Sequence, residues 1–315
     1  MPAENAWSQG RVGPGARFLD PKTLQRIGSL ELVARGVVEG FLQGLHRSPF
    51  LGQSMDFAEY RPYVVGDDPR RIDWKVFART ERYYVKEYEA ETNTNFTVLL
   101  DCSHSMAFGE AEFTKFDYAR YLAACLSFLA RKQGDRVGIL TFDSKVREIV
   151  PCSARHLELV LIAINRADAS RRGDFASALH DVTSRRTRKG LVALVSDLYL
   201  EPERFRGPLN RLREVGNDVM VFHVLDPAER DLPYEGKFTL EDMETEEFLP
   251  VTPEDLKAEY RELIAAHIAE VRRVLVGTGA DHILVDTGKP LDHTLFHYLL
   301  SRQERARRGQ WASLS

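Results

Sequence analysis

Cysteine is scarce in this chain, with three in 315 residues and no Cys-x-x-Cys pair among Cys102, Cys125 and Cys152. That excludes a disulfide framework, a zinc ribbon and a dithiol redox motif. The three thiols lie in apolar elements or at their ends and are expected to be reduced and mostly buried, as in a cytoplasmic protein. Long hydrophobic runs are also missing. The longest strongly apolar helical stretch, 121–130, falls far short of the roughly 20 residues that a membrane span needs, and residues 1–15 are polar and rich in Gly and Pro, unlike a secretory leader. No charge of one sign dominates: 43 Lys and Arg stand against 47 Asp and Glu, a net charge of −4, which points away from nucleic acid. Basic clusters at 171–172, 185–189 and 302–308 carry no interleaved aromatics for base stacking. Neither Gly-x-x-x-x-Gly-Lys-Ser/Thr nor Gly-x-Ser-x-Gly occurs, so phosphate-loop and nucleophile-elbow chemistry have no sequence support.

What is present is enough apolar material, 43% of residues, for one sizeable core. Residues 1–20 read as a disordered tail, 21–95 as an N-terminal segment packing on the main domain, 96–305 as that domain, and 306–315 as a second tail. Leu24, Ile27, Leu30, Val33, Val37, Val38 and Phe41 form a helical stripe over 21–45, weakened by Gly36, Gly40 and Gly44, so one interrupted helix or two are expected. Residues 83–89 read as an exposed strand. Nearly continuous apolar runs at 96–101, 136–143, 191–197, 219–226 and 283–286 predict strands covered on both faces. Helical patterns lie between and after them at 115–133, 156–165, 175–185, 201–215, 253–276 and 291–307. The first of these is opened by Thr114 with Asp117 as a capping box. Residues 145–150 should pair back on the preceding strand as a hairpin, and an acidic hairpin is expected as an insert at about 236–250. The alternation predicts an α/β fold, a mostly parallel sheet flanked by helices with an N-terminal helical and β appendage.

The stretch with chemical promise is Asp101-Cys102-Ser103-His104-Ser105-Met106. It follows the first strand of the main domain, at the kind of sheet edge where ligands bind in open α/β folds. One carboxylate and two hydroxyls at alternate positions suit a hard cation, although Asp and Ser are also ordinary turn and cap residues. Asp143, Asp197 and Asp226 end three further strands on the same expected edge, and Ser196-Asp197 should lie beside the strand ending at Asp101. Cys102 should point into the core, and His104 should hydrogen-bond to backbone.

The series Asp101-x-Ser103-x-Ser105, a helix opening near residue 115 and Ser196-Asp197 together resemble the metal-ion-dependent adhesion site (MIDAS) of the von Willebrand factor A fold. The segment 48–91 resembles the bacterial family called domain of unknown function 58, through Phe57-Ala58-Glu59-Tyr60-Arg61-Pro62-Tyr63, Gly66-Asp67-Asp68, Arg70-Arg71-Ile72-Asp73-Trp74-Lys75, Ala78-Arg79 and Val85-Lys86-Glu87. The two resemblances cover roughly 21–305. They imply a von Willebrand factor A-like, Rossmann-like fold and a cation, Mg²⁺ or else Mn²⁺ or Ca²⁺. Ser103 and Ser105 would hold it directly, Asp101 directly or through water, and Asp197 from across the site. The threonine that the fold usually adds falls at Gly173, so one ligand of about six is missing unless Asp174 replaces it.

The first function expected is a non-enzymatic, cytoplasmic interaction module whose cation keeps one position open for a carboxylate on a partner, and family resemblance implies an adaptor working beside a MoxR-type AAA+ ATPase and its client. Two other functions stand beside it. One is a Mg²⁺-dependent hydrolase using Asp101, against which the sequence has no second acid two residues on and no phosphate-cradling glycines. The other is a metal-free scaffold that binds through 48–86.

Overall fold

The computed structural model describes residues 29–47, 59–63, 72, 74–87, 94–109, 113–171, 175–184, 189–234, 236, 238–241, 248–251 and 253–312. The chain opens with α1 (Leu30–Arg47), one continuous helix. Gly36 and Gly40 do not interrupt it, because both lie on its exposed side while Val33, Ala34, Val37, Val38 and Phe41 are buried. A small antiparallel pair follows, β1 (Glu59–Pro62) with β2 (Tyr84–Glu87), around the short helix α2 (Trp74–Thr80).

The main domain alternates strand and helix as its apolar runs predict. In chain order come β3 (Asn95–Asp101), α3 (Lys115–Lys132), β4 (Arg136–Phe142), β5 (Val146–Ser153), α4 (Leu157–Arg166), α5 (Phe175–Ser184) and β6 (Gly190–Ser196). They are followed by α6 (Arg206–Glu214), β7 (Asp218–Leu225), α7 (Pro227–Asp231), β8 (Phe238–Glu241), β9 (Phe248–Val251), α8 (Pro253–Gly277), β10 (Asp281–Asp286) and α9 (Leu291–Ala312). Six strands form one sheet in the order β10-β7-β6-β3-β4-β5. All neighbours are parallel except β5, which pairs antiparallel with β4 at the sheet edge, as expected for 145–150. The interior strands are buried at almost every position, whereas β5 alternates. Helices cover both faces of the sheet, giving the von Willebrand factor A-like architecture expected. One hydrophobic cluster joins the sheet to α1, α3, α4 and α9, and the other joins it to α5, α6 and α8.

The topology fixes where a site can form. From β3 the chain steps outward to β4 and β5, then returns to place β6 on the other side of β3. The carboxyl ends of β3 and β6 therefore flank the switch point of the sheet, where helices leave in opposite directions and a crevice opens.

Several boundaries differ from expectation. The helix expected over 201–215 begins as a 3₁₀ turn, Pro202–Phe205, before α6. The helix predicted to stop at 307 continues to Ala312, so part of the expected tail at 306–315 is helical. The five-residue helix α7 is too short to show a periodic pattern, but Asp226 and Glu229 form its capping box. β8 and β9 pair antiparallel in the expected insert, whose acidic tip at 242–247 lies outside the described residues. Residues 1–28 also lie outside them.

Candidate functional site

Asp101 is the last residue of β3 and is almost wholly buried, at 1% exposure. Its Oδ1 accepts the backbone N–H of Ser103 at 2.9 Å, which folds the chain back over the strand end. Its Oδ2 accepts the Ser196 hydroxyl at 2.5 Å, and the Ser196 oxygen in turn accepts the N–H of Leu198 at 3.0 Å. Leu198 holds φ at +53°, a left-handed conformation rare for a leucine, immediately after Asp197. Ser103 and Ser105 hydrogen-bond to each other through their hydroxyls at 3.1 Å. Thus the structure brings Asp101, Ser103, Ser105 and Asp197 to one edge, on the elements expected to carry them. Burial, and after it the charge of Asp197, push the Asp101 carboxyl up to about 7, against the opposing bonds from Ser196 and Ser103.

The residue that organises the rest of the edge was missed by sequence reasoning. Lys115, the first residue of α3, is 0% exposed. Its ammonium donates to Asp197 Oδ2 at 2.7 Å and to Glu229 Oε1 at 2.6 Å. The faces of Tyr199 and Phe108 lie 4.8 Å and 5.8 Å from Nζ, within cation–π reach. Glu229 is held in turn by the α7 cap, accepting the N–H of Asp226 on Oε2 at 3.0 Å. Burial works to lower the Lys115 pKa, but Asp197 and Glu229 together raise it above its ordinary value, so the lysine is charged. Two acids share one ammonium, and burial outweighs what Lys115 returns to Glu229, whose carboxyl is pushed up to about 7. A lysine at the start of a helix also opposes the helix dipole, which makes the two carboxylates necessary. The available signal was its position: Lys115 stands three and four residues from Tyr118 and Ala119, on the buried face of an otherwise apolar helix.

The remaining candidates are tied up locally. Asp143 accepts from the N–H of Lys145 and pairs with Arg147. Asp226 accepts the Thr287 hydroxyl at 2.8 Å. His104 Nδ1 pairs with the backbone oxygen of Ala169 at 3.1 Å, as expected. Cys102 is buried in the core, and burial followed by the charge of Asp101 pushes its thiol up, away from a nucleophile's range. Gly173 and Asp174 lie outside the described residues, as do Arg70, Arg71 and Asp73.

The donor set fits a hard cation only in part. Asp101, Ser103 and Ser105 supply the oxygen chemistry that Mg²⁺ takes. Asp197, the acid expected to act from across, gives its Oδ2 to the Lys115 ammonium, which leaves only Oδ1 for a metal. Asp101 and Ser103 are also buried, whereas an adhesion-type cation must leave one coordination position open to a partner.

A family described as "Protein of unknown function DUF58" matches residues 59–272. "Uncharacterized protein Rv1480" of Mycobacterium tuberculosis is 31% identical over 303 residues, covering 92% of this chain and 93% of its own length. "Uncharacterized protein MAV169" of Mycobacterium avium is 29% identical over 168 residues, covering 50% of this chain and 95% of its own. Among solved structures, an aerotolerance-related membrane protein from Bacteroides fragilis has a TM-score of 0.44 at 14% identity, over 62% of this chain and 92% of that one. The SpRpn10 VWA domain has a TM-score of 0.39 at 9% identity, over 65% and 94%. At such identities and scores these two likenesses say nothing about function. No helix among the described residues is long and apolar enough to cross a membrane. The relative from M. tuberculosis matches along nearly the whole chain and the family match spans the β1–β2 segment and every strand of the sheet but β10, so the chain belongs to the DUF58 family, whose function is unknown.

Proposed function

We propose that this chain is a non-enzymatic protein-interaction module, an adaptor that docks a protein partner at the carboxyl edge of β3 and β6. The partner implied by the resemblance in the sequence is a MoxR-type AAA+ ATPase, with the client complex that it remodels. One observation carries the reading: the polar side chains gathered at the switch point are bonded to one another rather than poised to react. Asp101 is committed to Ser103 and Ser196, and Asp197 to Lys115. Such an edge is pre-shaped, which favours docking, and its described acids Asp101 and Asp197 are buried, which disfavours a hydrolytic mechanism. Tyr199, 42% exposed beside Asp197, is the aromatic anchor that this surface presents.

The test is capture of the purified ATPase by the full chain, with Mg²⁺ and with chelator. Capture should survive the chelator and weaken at least tenfold in Tyr199→Glu. Failure to capture the ATPase, or turnover of phosphate esters with Mg²⁺ that Asp101→Ala abolishes, would overturn the reading. A second docking surface has its own support, since Trp74 and Tyr83 are 59% and 50% exposed and Tyr83 stacks on Phe77 at 4.5 Å. Loss of capture in Trp74→Ala but not in Tyr199→Glu would move the contact to that segment, as in the metal-free scaffold.

A further inference from the structure

We infer that the cation of this strand-end site is the Lys115 ammonium itself, which occupies Asp197 and Glu229 in place of a divalent metal. The inference stands on the geometry of the site and does not depend on which partner docks there.

Three strand ends supply the parts. Lys115 comes from the helix after β3, Asp197 follows β6, and Glu229 sits in the helix after β7. Asp197 is the acid that a cation held by Asp101, Ser103 and Ser105 would need from across the site, and the ammonium has taken it at 2.7 Å. Glu229 lies outside the adhesion-type motif, yet it is brought to 2.6 Å from the same nitrogen and fixed there by the N–H of Asp226. A carboxylate recruited from a third strand end is what a permanent organic cation requires and what a metal bound by the other set would not need. Tyr199 and Phe108 present ring faces to Nζ, an apolar enclosure that suits an ammonium and would oppose the waters that Mg²⁺ keeps.

The other donors are closed in the same sense. Both oxygens of Asp101 accept neutral donors, and the two serine hydroxyls share a hydrogen bond. Lys115, Asp101, Asp197 and Ser103 are each at most 4% exposed. A divalent ion entering here would have to share Asp197 with a fixed like charge or displace it. Displacing the ammonium from Asp197 would leave a buried charge with half its partners.

The experiment is a titration of the full chain with Mn²⁺, read by electron paramagnetic resonance as loss of the free-ion signal, on wild type and on Lys115→Met. Wild type should leave the signal unchanged at millimolar Mn²⁺. Lys115→Met frees Asp197 and Glu229 of their ammonium, and should remove one equivalent of Mn²⁺ and gain melting temperature with it. Lys115→Arg keeps the charge and should remain indifferent. Should Lys115→Met fail to fold, wild type and Lys115→Arg still decide the matter. Stoichiometric Mn²⁺ binding by wild type, or none by a folded Lys115→Met chain, overturns the inference.

Discussion

Removing the Lys115 charge should cost a large part of the stability of this domain, and the cost should depend on pH. In Lys115→Met the aliphatic stem is largely preserved, but Asp197 and Glu229 lose a partner at 2.7 and 2.6 Å. The gross attraction of each pair, at an effective dielectric of about 20, is roughly 6 kcal/mol, and burying the three groups offsets most of it. Breaking a buried pair by deleting one partner nevertheless costs about 3–5 kcal/mol, against a total of about 5–15 kcal/mol for a typical domain.

Stranded Glu229 escapes part of this by taking up a proton. Glu229 is already pushed up to about 7 with Lys115 present, and without the ammonium it rises further above its unfolded value. A carboxyl whose folded pKa is raised binds protons in the folded state that the unfolded chain releases, so stability falls as pH rises from about 4 through the folded value. The gap between wild type and Lys115→Met should therefore be widest near pH 8 and narrow towards pH 5. Urea unfolding followed by circular dichroism at both pH values measures it, and adding Glu229→Gln to the variant should recover part of the loss at pH 8. A gap below about 1 kcal/mol at pH 8 would place the triad among weak surface pairs, and a gap that ignores pH would refute the argument.

Other expectations follow from the same structure. Thr114→Ala removes the side chain that caps α3 on the N–H of Asp117 and should cost about 0.5–2 kcal/mol, measurable by the same unfolding curves. Gly190→Ala places a Cβ against the carbonyl of Asn95 on the neighbouring strand and should destabilise by about 1–3 kcal/mol or more, with a lower melting temperature as readout. Cys102 and Cys125 are buried thiols pushed above their ordinary range, so both should stay silent to an aromatic disulfide reagent until the chain unfolds, while the half-buried Cys152 reacts first.

Much of this architecture was legible because interior parallel strands leave little freedom of composition. Runs such as Val98-Leu99-Leu100 and Val192-Ala193-Leu194-Val195 can satisfy neither face in water, which forces helices onto both sides of the sheet. The placement of Ser196 and Asp197 beside Asp101 followed from that topology, and the Thr114 cap from local chemistry. What stayed hidden was long-range pairing. Lys115 and Glu229 are separated by 114 positions, and a lysine next to a helix cap ordinarily faces solvent. α7 was hidden for a different reason, because five residues carry no period and only the Asp226–Glu229 cap marks them. Gly36 and Gly40 misled in the opposite direction: glycine lowers helix propensity, but on the exposed side of α1 it removes no packing.

The Lys115 ammonium is charged and enclosed between Asp197 and Glu229, and lysine-selective ¹H–¹⁵N NMR observes that group directly. The Lys115 signal should be resolved from the solvent-exposed lysines, slow to exchange, absent in Lys115→Met, and still that of a protonated amine above the ordinary lysine value of 10.5. A Lys115 amine that deprotonates below that value, or exchanges as fast as the surface lysines, would contradict that enclosed charge.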